Sequence, residues 1–125
     1  MADLLDRASA WLDGMRVKHA SRTVTYQRAS QSVGVAAGVG RTLFQVDNGS
    51  GVLETFESRD FLILTSDLVL GGAVVLPKAG DRIREGQGGA TYVYEVLAPG
   101  SEPCWRYSDP YRRTLRIHSK QLAVE

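Results

Sequence analysis

A β-hairpin is predicted by the clearest stretch of this sequence, Arg82-Ile-Arg-Glu-Gly-Gln-Gly-Gly-Ala-Thr-Tyr-Val-Tyr-Glu-Val-Leu97. Its second half alternates with the period of a strand, so that Tyr92, Tyr94 and Val96 share one face. The segment Gly86-Gln-Gly-Gly89 supplies a flexible tip between the two strands, because glycine adopts positive φ angles without steric cost. We therefore expect the chain to be built on antiparallel strands.

The remainder of the chain after His19 has the composition of an antiparallel all-β protein, with short runs rich in Val, Thr, Tyr and Phe between turn residues. Segments 23–28 and 32–36 are expected to pair as a hairpin, and Asp47-Asn-Gly-Ser-Gly51 to form a turn or loop. Phe61-Leu-Ile-Leu64 is expected to be fully buried. Six to eight such strands close into a small antiparallel barrel or sandwich.

The last predicted strand covers Arg113–His118, with Leu115 and Ile117 directed inward and His118 on the polar face. It follows the strand-like triplet Trp105-Arg-Tyr107 and the turn Ser108-Asp-Pro110. The predicted β body therefore runs close to the end of the chain.

Residues 3–19 are predicted to form one amphipathic helix with acidic residues in its first turn and basic residues in its last. A chain of 125 residues allows one domain, with or without an arm. The predicted fold class is mainly β: a small antiparallel β barrel or sandwich with one N-terminal amphipathic α-helix. We assign residues 1–20 to a helical arm and residues 21–125 to a single β domain. The apolar stripe of the helix consists of Leu4, Leu5, Ala8, Trp11, Leu12 and Met15.

The net charge is only +1, but the charges are arranged in blocks. Five basic and no acidic residues lie between Asp13 and Asp47, ten acidic residues oppose five basic ones from Asp47 to Asp109, and four basic residues follow before Glu125. The blocks could interleave into a neutral surface on folding. Alternatively, separate positive and negative faces could let copies of the chain dock head to tail, because complementary fields orient the encounter.

The glycine-rich stretch from Gly34 to Thr42 does not match a phosphate-binding loop. The spacing between Gly34 and Gly40 is one residue too long, and Arg41 stands where that motif has lysine. We expect turns and a surface loop at this position.

The sequence predicts no catalytic residues, no metal site and no cofactor, and so no enzyme. Its two histidines, His19 and His118, are separated by most of the chain, with no acidic residue at ligand spacing from either. Cys104 follows a proline and precedes Trp105, which suits a small buried hydrophobe. A single cysteine allows no internal disulfide, and no apolar run approaches the length of a membrane span, so we expect a cytoplasmic product.

A cluster of aromatic and basic side chains near the end of the chain is the candidate binding site. Aromatic residues among arginines can stack on bases and contact phosphates, or can anchor a protein interface. In a purely structural interpretation, Trp105 and Tyr107 cap the barrel and Asp109 pairs with Arg112. The candidate partner-binding residues are Trp105, Arg106, Tyr107, Tyr111, Arg112, Arg113 and Arg116.

Three segments of the middle of the chain resemble a known family: Phe61-Leu-Ile-Leu-Thr-Ser-Asp67, Ala79-Gly-Asp-Arg-Ile83 and Thr91-Tyr-Val-Tyr-Glu-Val96. With the N-terminal helix as a weaker match, the order of features resembles the small head-tail joining (neck, or head-completion) proteins of long-tailed bacteriophages and prophages. It is most similar to the lambda-type attachment proteins.

The resemblance implies a structural virion assembly protein that is monomeric in isolation and forms an oligomeric ring joining the portal of the head to the tail. Its partners would be portal (connector) and tail proteins, with nucleic acid only nearby as packaged DNA and no membrane. It would reside in the host cytoplasm and then in the neck of the virion. Two alternatives remain open: a small β-barrel nucleic-acid-binding module that uses the cluster around Trp105, and a phage tail terminator-type protein.

Overall fold

The computed structural model of the chain describes residues 22–47, 49–100 and 102–125. These residues are dominated by strands, because their side chains alternate between buried and exposed positions along most segments. The strands are β1 (Arg22–Arg28), β2 (Gln31–Asp47), β3 (Leu53–Leu64), β4 (Val69–Leu70), β5 (Ala73–Val74), β6 (Arg82–Gln87), β7 (Ala90–Val96), β8 (Trp105–Tyr107) and β9 (Thr114–Val124).

Six of these strands form a ring in which every neighbouring pair is antiparallel. Going around the ring, the order is β1, β2, β3, β9, β7, β6 and back to β1. β8 adds to β9 with Trp105 opposite Ile117, and β4 and β5 form a separate small hairpin. The chain therefore closes its main sheet by pairing β9, its last strand, with β3.

Both hairpins predicted from the sequence are present. β6 and β7 meet at Gly88 and Gly89, whose φ angles of 62° and 83° fit the tight turn that glycine makes possible. β1 and β2 meet at a two-residue turn in which Ala29 has a φ of 52°. The antiparallel, mainly β character predicted for the chain is thus confirmed.

The predicted fold class is wrong in its full form, a barrel or sandwich with one α-helix. Within residues 22–47, 49–100 and 102–125 the helical structure is a single 3-10 turn, Thr65–Asp67, and the main sheet is one ring of strands. The physical reason is that most strands among these residues follow the period of two, whereas the sequence shows the period of a helix in residues 3–19. That predicted helix and the N-terminal segment 1–20 assigned to it lie outside the described residues.

The predicted loop at Gly34–Thr42 is also wrong, because this stretch lies inside β2. The glycines are strand positions, and at Gly40 a Cβ atom would lie 3.3 Å from the guanidinium of Arg116. Glycine was interpreted as a turn residue, whereas here it leaves space beside the backbone for a side chain from β9.

The core fills the inside of the ring. Tyr94, Val96, Leu115 and Ile117 are buried, as the predicted faces of β7 and β9 require, and the ring of Tyr94 meets that of Phe61 edge-on at 5.3 Å. Tyr92, predicted on the same face as Tyr94, is half-buried, and Val93, predicted on the opposite face, is buried as well. Other strands contribute buried side chains to the same core, including Val24, Tyr26, Val35, Ile63 and Ile83.

β2 and β3 extend beyond the ring as a long hairpin, which we call the arm (residues 41–47 and 49–58). β3 pairs with β9 from Leu64 as far as Arg59, which lies opposite Ser119. Beyond that point β9 continues along β7 as the β9 end (residues 120–124). The arm and the β9 end diverge around a cleft of about 530 Å³.

Candidate assembly surface

The structure divides the predicted cluster between two faces of the sheet. Trp105 and Tyr107 are half-buried, pack against the core and contact each other edge-on at 4.9 Å. Arg106 lies on the opposite face, in register with Arg116. The aromatic and basic side chains of β8 therefore do not share one surface.

The loop between β8 and β9 is organised by Asp109. Its carboxylate accepts hydrogen bonds from the backbone amides of Tyr111, Arg113 and Thr114 at 2.9–3.2 Å. Arg112 adopts a φ of 58°, and its guanidinium lies 5.7 Å from the centre of the Tyr107 ring. Arg106 and Arg112 are the exposed arginines of this predicted cluster.

Arg116 is separated from the rest of the predicted cluster because it reaches a buried carboxylate. Its guanidinium donates to Oδ2 of Asp60 at 2.7 Å, and Asp60 is fully buried. Nδ1 of His118 lies 2.9 Å from Oδ1 of the same carboxylate. Because a carboxylate only accepts hydrogen bonds, Nδ1 carries the proton in this contact.

Two hydroxyl groups complete the shell around Asp60. Ser58 donates to Oδ1 at 2.5 Å, and Thr42 donates to Oδ2. Burial acts to raise the pKa of Asp60, but the hydrogen bonds from His118, Ser58, Thr42 and Arg116 outweigh it and hold the pKa far below its usual range.

The Asp60 network lies where the arm leaves the ring. Thr42 belongs to β2, Ser58 and Asp60 to β3, and Arg116 to β9, so one carboxylate ties together the three strands that meet there. The space beside Gly40 lets Arg116 reach this site. We infer that the network fixes the direction in which the arm projects.

The lowered pKa of Asp60 predicts a specific loss of stability in acid. A carboxyl group whose pKa is lower in the folded than in the unfolded state stabilises the fold above the unfolded pKa of about 3.9. That contribution is lost as the pH falls below about 4 toward the folded pKa. Urea unfolding at pH 6.5 and pH 3 is expected to show this loss in the natural chain and a smaller loss in Asp60→Asn. An equal loss in both would contradict the prediction.

A second buried carboxylate, Asp81, lies just before β6 and binds two side chains of β1. Tyr26 donates to it from its hydroxyl at 2.5 Å, and the guanidinium of Arg28 donates to both oxygens at 2.8–3.2 Å. Burial and the contact with Asp81 raise the pKa of Tyr26 well above its usual range. This group anchors the turn before β6, where the amide of Lys78 also donates to Asp81.

A third buried carboxylate, Glu85, binds Arg59, which lines the cleft. It accepts hydrogen bonds from Arg22 at 2.6 Å and from Arg59 at 2.7 Å. The guanidinium of Arg59 also lies 5.5 Å from the ring centre of Phe61 and 5.1 Å from that of Tyr94. The three carboxylates are thus buried, whereas the side chains of their arginine partners are 23–46% exposed.

These three carboxylates were not among the sequence-predicted site residues. His118 was expected on the polar face of β9 and does lie on the face away from Ile117, but it is buried against Asp60. Two sequence signals existed: Asp60 immediately precedes the apolar run 61–64, and Glu85 is two residues from Ile83 and so shares its inward face. Their partners are far away in sequence, which local spacing does not show.

Exposed apolar side chains concentrate on the two sides of the cleft. Among the described residues, five of the seven large apolar side chains that are strongly exposed lie on the arm, its tip or the β9 end; the other two are Val74 and Leu76. Exposed apolar side chains are available for contact with another protein. The five are Leu43, Val52, Leu53, Leu122 and Val124.

Other kinds of site are not evident in the part of the chain that the structure describes. Among those residues, no three His, Cys, Asp or Glu side chains are grouped so that they could hold a metal ion. Likewise, none of the described residues form a helix with the length and hydropathy needed to span a bilayer. Cys104 is buried and its thiol pKa is raised by burial, which makes it a poor nucleophile.

A projecting hairpin with exposed leucines, together with an exposed arginine loop, defines a protein that works through contacts with other proteins. Comparison with protein families agrees: residues 2–125 match the family described as phage head-tail joining protein, and the chain belongs to that family. No curated protein and no solved structure matches the chain. The resemblance drawn from the sequence is thereby confirmed. The protein is a structural component of the phage virion.

Proposed function

We propose that this protein joins the portal of the phage head to the tail as one subunit of an oligomeric ring. The observation that carries the proposal is the presence of exposed apolar side chains on two separate segments of one chain, the arm and the β9 end. Two different contact segments on each copy suit heterologous contacts, which close into a ring when the rotation between copies permits. Membership of the head-tail joining family supports the same role.

We further propose that the chain is monomeric in the host cytoplasm and assembles only on the portal, where it becomes part of the neck. In a monomer, the exposed apolar groups are few enough to remain in water. Assembly on a template would bring them together at high local concentration. Size-exclusion chromatography of the chain with and without purified portal tests this, and a stable ring formed by the chain alone would contradict it.

The loop between β8 and β9 is our proposed contact for the portal or tail. The exposed arginines Arg106, on β8, and Arg112, in the loop, are available to a partner. We include Trp105, Tyr107, Tyr111 and Arg113 in the same proposed contact, whereas Arg116 is held by Asp60. Arginine is favoured at protein interfaces, because its planar guanidinium combines stacking with bidentate hydrogen bonds.

Charge reversal of this loop is expected to weaken head-tail joining. The variant Arg106→Glu with Arg112→Glu changes exposed side chains, so the fold should be retained, while any acidic partner surface is repelled. In an assay that mixes DNA-filled heads, tails and the purified chain, we expect at least about a tenfold loss of joined particles. The matched control is Lys78→Glu with Arg82→Glu, also exposed and outside the loop. Wild-type joining by the loop variant would contradict the proposed contact.

Electron microscopy of the chain bound to purified portal tests the function itself. Rings of the chain at the tail-proximal end of the portal are expected. Rings found on tails without heads would instead favour a tail terminator-type protein.

For nucleic-acid binding, the described residues offer no supporting observation, because Trp105 and Tyr107 lie against the core. Salt-sensitive binding to single-stranded DNA, lost in the Arg106→Glu, Arg112→Glu variant, would favour that alternative.

A further inference from the structure

We infer that, in the proposed ring, the arm of one copy pairs strand to strand with the β9 end of its neighbour. The inference rests on the proposed function and adds to it the two segments that join adjacent copies. Each contact is therefore made with a second copy of this chain.

Two open strand edges face the cleft. In the described chain, β3 pairs with β2 along its whole length but with β9 only from Arg59 to Leu64, so residues 53–58 have one strand neighbour. In the same way, the β9 end pairs with β7 on one edge, and no strand among the described residues pairs with its other edge. An open edge offers backbone donors and acceptors for a further strand.

Charge protects these edges only in part, through Glu54 and Glu57 on the arm and Lys120 on the β9 end. Edge strands are normally guarded by charge, proline or brevity. Here the arm edge spans six residues and begins at Leu53, which is 62% exposed, and the β9 end carries Leu122 and Val124, which are 47% and 53% exposed. Apolar side chains on an open edge favour addition of another strand over contact with water.

The two edges are complementary in register. Extending the observed pairing of Arg59 with Ser119 would place Glu57 opposite Gln121 and Phe56 opposite Leu122. Phe56 and Leu122 would thus form an apolar cross-strand pair, which stabilises a ladder. In the same register Val124 would face Glu54, and Leu53 would face Glu125. The chain carries both halves of one strand pair, and its own fold holds them apart.

Closure within a single copy is opposed by structure on both sides of the cleft. The arm is continuous with two ring strands and is tied at its base by the Asp60 network. The β9 end is held by β7, and a bulge between Val93 and Tyr94 shifts its register there, as bulges do where strands bend. Arg59, fixed by Glu85, lines the cleft between them. A neighbouring copy can supply the missing strand without breaking these contacts, and each copy then offers one edge of each kind.

Disulfide trapping on the portal tests the register. All chains carry Cys104→Ala; one also carries Glu57→Cys, and another carries Gln121→Cys. Directly opposed residues in an antiparallel pair lie within the Cα distance that a disulfide spans. We expect disulfide-linked dimers when the two chains are mixed on purified portal, and none when Gln87→Cys replaces Gln121→Cys as the control. A chain carrying both Glu57→Cys and Gln121→Cys should give a ladder of linked oligomers.

Some outcomes would overturn the inference. If the double-cysteine chain gave only internally linked monomers, the cleft would close within one copy. If rings formed but the mixed chains gave no linked dimers, the neighbours would use other segments. A natural chain that forms no ring on the portal would instead contradict the proposed function.

Substitution of the edge gives an independent readout. Leu122→Lys with Val124→Lys, or Leu53→Lys on the arm, changes exposed side chains, so each variant should keep its circular dichroism spectrum. Ring occupancy on the portal should fall roughly tenfold or more. The matched control is Val74→Lys with Leu76→Lys, whose side chains are 58% and 47% exposed but lie away from both edges. Rings at the natural level in both edge variants would overturn the inference.

Discussion

Asp60→Ala is expected to lower the free energy of unfolding by about 3–5 kcal/mol, the range seen when one member of a buried ion pair is removed. The carboxylate is fully buried, and it is the acceptor for Arg116, His118, Ser58 and Thr42. Its removal leaves these donors without their partner in a site that water does not readily reach. A domain of this size has a total stability of about 5–15 kcal/mol, so the variant should be close to unfolding at physiological temperature.

Urea unfolding followed by circular dichroism measures this loss. Glu102→Ala serves as the control, because Glu102 is an exposed carboxylate, and surface changes of this kind usually alter stability by less than about 0.5 kcal/mol. Asp60→Asn keeps the side-chain volume and one acceptor oxygen, so it should fall between the two. A loss below about 1 kcal/mol in Asp60→Ala would show that the Asp60 network is not a main support of the fold.

Glu85→Ala is expected to lower the free energy of unfolding by about 1–3 kcal/mol. The loss is smaller than for a fully buried pair, because the side chains of Arg22 and Arg59 are 46% and 31% exposed. Glu85 is the shared partner of Arg22 and Arg59, and Arg59 Nε already lacks a hydrogen-bond partner among the described residues. Without the carboxylate, the guanidinium of Arg59 would remain against Phe61 and Tyr94 with its charge uncompensated. Thermal unfolding of the variant should show a clear decrease in Tm.

The double variant Glu85→Met with Arg59→Met separates the cost of an orphaned charge from the cost of lost packing. Replacing both members of a buried pair by apolar side chains is often neutral or stabilising. Arg22, the other partner of Glu85, has a side chain that is 46% exposed, so its guanidinium can turn into water. We therefore expect the double variant to be more stable than Glu85→Ala. If it is as unstable as Glu85→Ala, the pair contributes mainly through shape, and the electrostatic explanation is wrong.

The local strand pattern was predictable because it depends on neighbours in sequence. The alternation around Tyr94 and Val96 gave the inward face of β7, and Leu115 and Ile117 gave that of β9. A period of two places side chains on alternate faces whatever the rest of the fold does. The family was likewise predictable from the sequence, because each of the three segments that carry the resemblance is a short continuous stretch of the chain.

The ring and its buried charges were not predictable in this way. Asp60 lies 58 residues before its partner His118, and Glu85 lies 63 residues after Arg22, so these contacts depend on strand order. Glycine misled the prediction for Gly34–Thr42, because glycine in a sequence indicates equally a turn or a place where another side chain approaches. The arginines of the predicted cluster were equivalent in sequence, yet Arg116 is placed against Asp60 and Arg112 in an exposed loop.

The uninterrupted passage of β2 and β3 from ring to arm has a mechanical consequence. A pull along the arm acts parallel to these strands, so it shears the seven residue pairs between β1 and β2 and the six between β3 and β9 together instead of unzipping them singly. Strand pairs loaded in this geometry share the force, and rupture requires many hydrogen bonds to fail at once. The hairpin is therefore suited to transmit tension from whatever the arm contacts into the ring.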